Sequence, residues 1–167
     1  LNALQEAMTG VQSPYELSES TQIYGLSISA YELEPQDLFV KDDGTEIYIS
    51  AGAGLGVDQF TLSTAFDLST ATHTAFQSTS SQGLNPRGIT FKSDGTKMYE
   101  CHTSTADIKQ YSLSTAWDIT TLSYDSVAFV VSGQVTGVRG VSFKSDGTKM
   151  FVVGAASSVV VEYDLST

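Results

Sequence analysis

The stretch Phe91-Lys-Ser-Asp-Gly-Thr-Lys-Met-Tyr99 decides the fold of this 167-residue chain, because two close copies of it occur elsewhere in the sequence. The copies run from Val40 to Tyr48 and from Phe143 to Phe151. Their central glycines lie 51 and 52 residues apart (95 − 44 and 147 − 95), at Gly44, Gly95 and Gly147. A period of this size indicates a tandem array of one supersecondary unit.

Two further signatures recur at the same spacing. An aromatic residue, one variable residue and then Leu-Ser-Thr occur from Phe60, Tyr111 and Tyr163. An aromatic, an acidic and an aliphatic residue follow one another from Tyr15, Phe66 and Trp117. The matches need one inserted residue between the second and third repeats.

Each unit is predicted to contain four antiparallel strands. In the second unit they are strand a at 88–92, strand b at 97–103, strand c at 107–113 and strand d around 124–131. Asp94-Gly95 joins the first two, since Asp-Gly is a strong signal for a tight hairpin. Strand b is apolar at successive positions in the first and third units, which is typical of a strand covered on both faces. The sequence therefore predicts an all-β fold of blade-like units.

These motifs resemble the Phe-Ser-Pro-Asp-Gly hairpin repeats of TolB-like and YVTN-type β-propellers. They look more closely like repeats found in bacteriophage tail-fibre and other phage structural proteins. The resemblance covers residues 11–167 and implies propeller-type blades, with a β-prism or β-trefoil body of threefold symmetry as the alternative. It also implies no shared catalytic residues.

The predicted organisation is a leader at residues 1–10 followed by three units at 11–61, 62–112 and 113–167. Leu1, Leu4 and Met8 would stripe one face of a short oligomerising helix in the leader. A d strand around Thr21–Ala30 would complete the sheet that the last unit begins. Because propellers usually have about four to eight blades, we expect either ring completion by oligomerisation or a longer parent protein.

The charge of the chain excludes one class of partner. Nineteen acidic against eight basic side chains give a formal net charge of −11. Lys and Arg contacts to phosphates supply the affinity of nucleic-acid binding, so no nucleic-acid partner is expected. No apolar run approaches the roughly 20 residues of a membrane span, so we expect no membrane insertion. Cys101 is the only cysteine, which excludes an internal disulfide.

Glu100 and His102 are the clearest departures from the repeat. The corresponding positions are Ile49 and Ala51 in the first unit and Val152 and Gly154 in the third. Strand alternation places Glu100 and His102 on one face, as an acid–base pair or half of a metal site would require. The alternative is that they contact a partner or solvent, and the chain is predicted to have no catalytic residues.

Two other groups of residues are candidate sites. Asp42, Asp43 and Glu46 surround the first hairpin, but too few carboxylates alternate there for a calcium loop, so no metal and no cofactor are predicted. Tyr15, Phe66 and Trp117 are expected to plug the space between units, with stacking on a sugar as the alternative. These three rings, with Glu100 and His102, are the predicted ligand or interface contacts.

The predicted function is a non-enzymatic structural module of a virion appendage, such as a tail fibre or capsid decoration, that mediates assembly or attachment to a host. The alternatives are a lectin-like carbohydrate-binding protein and a bacterial cell-surface propeller. Self-association, other virion proteins and a host-surface glycan are the expected partners. The expected location is the virion surface or the extracellular space.

Overall fold

The computed structural model describes residues 23–52 and 55–165. The predicted N-terminal helix and Tyr15 therefore lie outside the described residues. Eleven strands and two short 3-10 turns account for the regular structure of the described part. The strands are β1 Pro35–Val40, β2 Glu46–Ala51, β3 Gly56–Leu62, β4 Ala71–Ser78, β5 Pro86–Phe91, β6 Lys97–His102, β7 Asp107–Leu113, β8 Leu122–Val130, β9 Val138–Phe143, β10 Lys149–Gly154 and β11 Val159–Asp164. The 3-10 turns span Leu68–Thr70 and Ile119–Thr121.

The strands form three antiparallel sheets in strict chain order, as the repeat predicts. Blade 1 contains β1 to β4, blade 2 contains β5 to β8, and blade 3 contains β9 to β11. The first strands lie side by side, with β1 next to β5 and β5 next to β9. An all-β fold of propeller-type blades is therefore confirmed.

The repeated Asp-Gly segments make the turns between the first two strands of each blade. Gly44, Gly95 and Gly147 have φ angles between 71° and 73°, in the left-handed region where a side chain is strained. In the second blade, the Asp94 carboxylate accepts hydrogen bonds from the backbone N–H and the hydroxyl of Thr96, at 3.0 and 2.6 Å. The Asp-Gly-Thr signature is thus the chemistry of the turn itself.

Two apolar clusters fill the spaces between neighbouring blades. Tyr48 and Val57 of blade 1 pack in one cluster with Met98 and Tyr111 of blade 2. The second cluster joins blades 2 and 3, and contains Cys101, Ile108, Val131, Val135, Val138, Met150 and Val152. Burial of strand b on both faces explains why its apolar residues do not alternate.

The predicted strand limits need small corrections, and the prediction of one strand, the N-terminal d strand, is wrong. Strand a of the second unit begins earlier, at Pro86, whereas strand c has the predicted limits. The described part of the predicted N-terminal strand, residues 23–30, contains no strand. A d strand requires a c strand beside it, and within the described residues its predicted neighbour, β11, is the unpaired edge of blade 3. Between residues 23 and 165, no helix is long and apolar enough to cross a membrane.

The inserted residue lies in a bulge of β8. Between the partners of Tyr111 and Gln110, β8 has two residues, Asp125 and Ser126, whereas β4 has one at the corresponding place. Ser126 has a φ of 60°, and such a left-handed residue is typical of a bulge. Equivalent residues are therefore 51 apart before this bulge and 52 apart beyond it.

Candidate functional site

Glu100 and His102 form a buried pair between blades 1 and 2. Both side chains are fully buried, and His102 Nε2 lies 2.9 Å from Glu100 Oε2. A carboxylate can only accept, so Nε2 carries the proton of this hydrogen bond, whereas Nδ1 has no hydrogen-bond partner. Tyr111 donates a longer hydrogen bond of 3.4 Å to the same carboxylate oxygen. Burial raises the pKa of the Tyr111 phenol, and the Glu100 charge adds to the shift.

A second buried pair lies on the neighbouring strand. Register pairs His102 with Asp107 and Glu100 with Lys109, so all four side chains share one face of blade 2. Lys109 Nζ donates to Asp107 Oδ2 at 2.5 Å, and both side chains are 6% exposed. Buried charges are costly unless they are paired, which explains why the two residues occur together.

This polar face replaces an apolar seal. Adding the repeat offset to each position gives the equivalent residues of blade 3. Glu100 corresponds to Val152, Lys109 to Val161 and His102 to Gly154. The seal between blades 2 and 3 also contains Cys101, Val131 and Val135. Their equivalents between blades 1 and 2 are Ser50, Thr79 and Gly83. We call Ser50, Thr79, Glu100 and His102 the polar cluster.

Gly83 makes room for His102. A Cβ placed on Gly83 would lie 2.7 Å from His102 Nδ1, and its three nearest atoms all belong to that ring. Between blades 2 and 3 the sizes are exchanged, because a Cβ on Gly154 would lie 2.4 Å from a methyl group of Val135. The large His102 opposite the small Gly83 thus corresponds to the small Gly154 opposite the larger Val135 in the next interface.

Every residue of the polar cluster has a buried polar atom without a hydrogen-bond partner. These atoms are Ser50 Oγ, Thr79 Oγ1, Glu100 Oε1 and His102 Nδ1. Buried polar groups are satisfied in the great majority of cases, and an unsatisfied one costs about 1–3 kcal/mol. Because these four atoms belong to repeat-equivalent positions of one interface, the polar cluster is the candidate site for a small polar ligand.

An arginine lies beside this site on the innermost strand of blade 2. Arg87 follows Pro86, whose register partner is His102. Its Nη1 donates to Gln36 Oε1 of blade 1, while its Nε is buried without a partner. The chain has two arginines, and the second, Arg139, occupies the equivalent position on β9. Sequence reasoning missed Ser50, Thr79, Gly83, Arg87 and the Asp107–Lys109 pair, although a comparison of equivalent positions would have found them.

The repeated aromatic residues have different surroundings. Trp117 is half-buried and packs with Phe39, Tyr48 and Phe91 between blades 1 and 2. Phe66, its equivalent in blade 1, is 68% exposed, and its ring covers Gly44 of its own hairpin. Trp117 thus lies between blades 1 and 2, whereas no described residue of a preceding blade covers Phe66.

The acidic residues of the first hairpin are held by their own turn. Asp43 lies 2.8 Å from Lys41 Nζ, and hydrogen bonds from Lys41 and Thr45 lower its pKa to about 2. Glu46 accepts hydrogen bonds from Gln59 and Thr61. Between residues 23 and 165, leaving out 53 and 54, no group of three or more His, Cys, Asp or Glu could hold a metal ion.

The hairpins of the three blades also border a cleft of about 400 Å³. Its apolar wall includes Phe91, Phe143 and Trp117, and its polar rim includes Lys92 and Lys144. Each of these lysines is paired with the aspartate of its own hairpin. Unlike the polar cluster, this cleft has charges that are already satisfied.

No protein-family model matches the sequence, and no curated protein does either. Solved structures do match. A putative 6-phosphogluconolactonase from Bacteroides fragilis has 15% identity and a TM-score of 0.58, over 79% of this chain and 35% of its own. The periplasmic gluconolactonase PpgL of Pseudomonas aeruginosa has 14% identity and the same TM-score, over 79% and 36%. The Cps50 (Swd1) β-propeller domain of Myceliophteria thermophila has 10% identity and a TM-score of 0.55, over 79% and 38%.

These likenesses show the propeller-type fold, and this chain spans little more than a third of each of the three matched chains. They also correct two predictions. The prediction of a non-enzymatic virion module is wrong, because the solved structures that share this fold include proteins described as gluconolactonases. The prediction that the chain is not an enzyme is wrong for the same reason.

Proposed function

We propose that this chain is part of a β-propeller hydrolase that opens a small sugar lactone at the polar cluster between blades 1 and 2. The observation that carries the proposal is the buried Glu100–His102 pair, whose outer atoms have no protein partner. The likeness to two proteins described as lactonases supports this choice of substrate class.

The pair has the parts of a general acid–base catalyst. Glu100 Oε2 holds the Nε2–H of His102, which fixes the ring and leaves the Nδ1 lone pair free. In lactone hydrolysis, Nδ1 would take a proton from water while the water oxygen forms a bond to the carbonyl carbon. The ring C–O bond then breaks, and the departing oxygen takes the proton back from the imidazolium. The products are the hydroxyl and the carboxylic acid of the opened sugar.

The other members of the polar cluster supply hydrogen-bond donors. The hydroxyls of Ser50 and Thr79 are buried and unpaired, so each can donate to the oxygen that becomes negative as the carbonyl is attacked. Arg87 has a buried, unpaired Nε on the adjacent strand, and a guanidinium favours a carboxylate or phosphate. We therefore expect a substrate that carries hydroxyls and gives an acid.

Access to His102 passes by Gly83. The imidazole is fully buried, and a Cβ on Gly83 would lie 2.7 Å from its Nδ1, so Gly83 leaves room beside this nitrogen. The lactone would reach the ring by displacing the chain at this glycine, where little apolar contact has to be broken.

The experiment measures acid release from glucono-δ-lactone, with the spontaneous rate in buffer subtracted. We expect the wild type to accelerate hydrolysis and His102→Gln to lose about 10²–10⁴-fold in kcat/KM, the usual worth of a general base. His73→Gln is the matched control, because the other histidine lies in blade 1 with Asp58 as its partner.

Two results would contradict the proposal. One is a wild type that does not exceed the spontaneous rate. The other is a folded His102→Gln variant with wild-type activity. If that variant is unfolded by circular dichroism, Glu100→Gln, which keeps the shape of the side chain, replaces it and is expected to show a reduced kcat/KM.

A further inference from the structure

Within the described residues, the outer face of blade 1 carries an exposed apolar groove. Its volume is about 360 Å³, and its wall includes Leu38, Val40, Ile47 and Phe66. Leu38 and Phe66 are more than half exposed. We call this surface the groove face. Large exposed apolar patches of this kind mark interaction sites.

The equivalent residues of the next blade are buried against a neighbour. Ile89 corresponds to Leu38 and is 4% exposed, and Phe91 corresponds to Val40 and is 7% exposed. Both belong to the cluster that joins blade 2 to blade 1. The groove face is thus a surface of the same kind as the one that receives a preceding blade elsewhere in this molecule.

The opposite end of the array carries the complementary surface. Phe151, Val153 and Val160 lie on the side of blade 3 that faces away from blade 2, and Val160 is 69% exposed. Its equivalents, Val57 and Ile108, are 0% and 3% exposed because a following blade covers them. We call this surface the blade 3 face.

We propose that the groove face binds the blade 3 face of a second copy of this chain, and that two such contacts close a six-bladed ring. The contact continues the interface that already joins blades 1, 2 and 3, so it needs no new kind of packing. A head-to-tail contact closes into a ring when its rotation allows, and six blades lie within the usual range of about four to eight. The ring does not depend on the lactonase proposal.

The test compares two variants whose side chains are exposed in the single chain, so that folding is spared. Leu38→Asp alters the groove face and Val160→Asp alters the blade 3 face. Leu84→Asp is the matched control, since Leu84 is 54% exposed and lies on neither face. Mass is measured by light scattering after size-exclusion chromatography, over a range of concentrations.

The wild type and Leu84→Asp are expected to have twice the 17.8 kDa mass of one chain, and each face variant alone is expected to be a monomer. An equal mixture of the two face variants is expected to recover a dimer through the single remaining intact contact. A monomeric wild type would overturn the proposal, whatever else then covers the groove. Open polymers would overturn the closed ring. A dimer lost in Leu38→Asp but kept in Val160→Asp would show groove-to-groove pairing instead.

Discussion

Gly83→Val is expected to destabilise the wild-type chain but not a chain in which Glu100 and His102 have been replaced by the residues at the equivalent positions of blade 3. The replacement background is Glu100→Val with His102→Gly, which copies Val152 and Gly154. Adding Gly83→Val then copies Val135. The effect of Gly83→Val on the free energy of unfolding is thus measured both with and without the His102 imidazole beside it.

The magnitude follows from the contacts of the added side chain. In the wild type the new Cβ would lie 2.7 Å from His102 Nδ1, closer than such carbon atoms ever come. Overpacking of this kind costs typically about 1–3 kcal/mol. In the background no imidazole is present, and the valine fills space at about 0.8 kcal/mol of stabilisation per buried methylene. With one methylene filled, the two effects together predict a coupling of about 2–4 kcal/mol, around the upper end of what neighbouring residues show.

The assay is urea unfolding of the four proteins, followed by circular dichroism and extrapolated to water. Equal slopes with denaturant are the control that the unfolded states are comparable. If Gly83→Val costs the same free energy in both proteins, the matched exchange of His102 with Gly83 is not what shapes this interface, and the reasoning fails.

Three further outcomes are expected. Hydrogen bonds from Lys41 and Thr45 hold the folded-state pKa of Asp43 at about 2. The ionised Asp43 therefore contributes its full stabilisation of the folded state above pH 4, and this contribution is lost as pH falls towards 2. Acid unfolding curves of Asp43→Asn are expected to lack the contribution, and curves that match the wild type would count against it. Trp117→Ala is expected to lower the free energy of unfolding by about 2–4 kcal/mol, below the full range for buried Trp because the ring is half-buried, and a loss under about 1 kcal/mol in urea titrations would contradict its place between blades. Burial raises the pKa of the Cys101 thiol to about 12, so a thiol reagent at pH 8 is expected to label it only in denaturant, and rapid labelling of the folded protein would be inconsistent with the seal between blades 2 and 3.

The strands within each blade could be predicted because their signals are local. Asp94-Gly95 specifies a hairpin through its own φ preference and side-chain hydrogen bonds, and the repeat multiplies that signal three times. No such local signal specifies the strand predicted around Thr21–Ala30. Its apolar residues suit a strand, but a strand forms only beside a partner. None of the described strands pairs with residues 23–30.

The candidate site could be predicted only in part. Strand alternation places Glu100 and His102 on one face, and the structure has them hydrogen-bonded there. The sequence does not show that Gly83 lies against the imidazole. Gly83 lies in the loop between β4 and β5, and only the packing of that loop brings it to His102 at the end of β6. The sequence also does not show that Leu38 is exposed while Ile89 is buried, since both are ordinary apolar residues of the innermost strands.

The central claim is that the polar cluster exists for chemistry and not for stability. The most direct test is to measure lactone hydrolysis and unfolding on one protein, Gly83→Val with Glu100→Val and His102→Gly. We predict that this variant is at least as stable as the wild type, because it removes the four buried polar atoms of Glu100 and His102, two of them unpaired, and copies residues that already pack between blades 2 and 3. We predict equally that it has no hydrolysis above the spontaneous rate. A stable variant that hydrolyses the lactone at the wild-type rate would contradict the account.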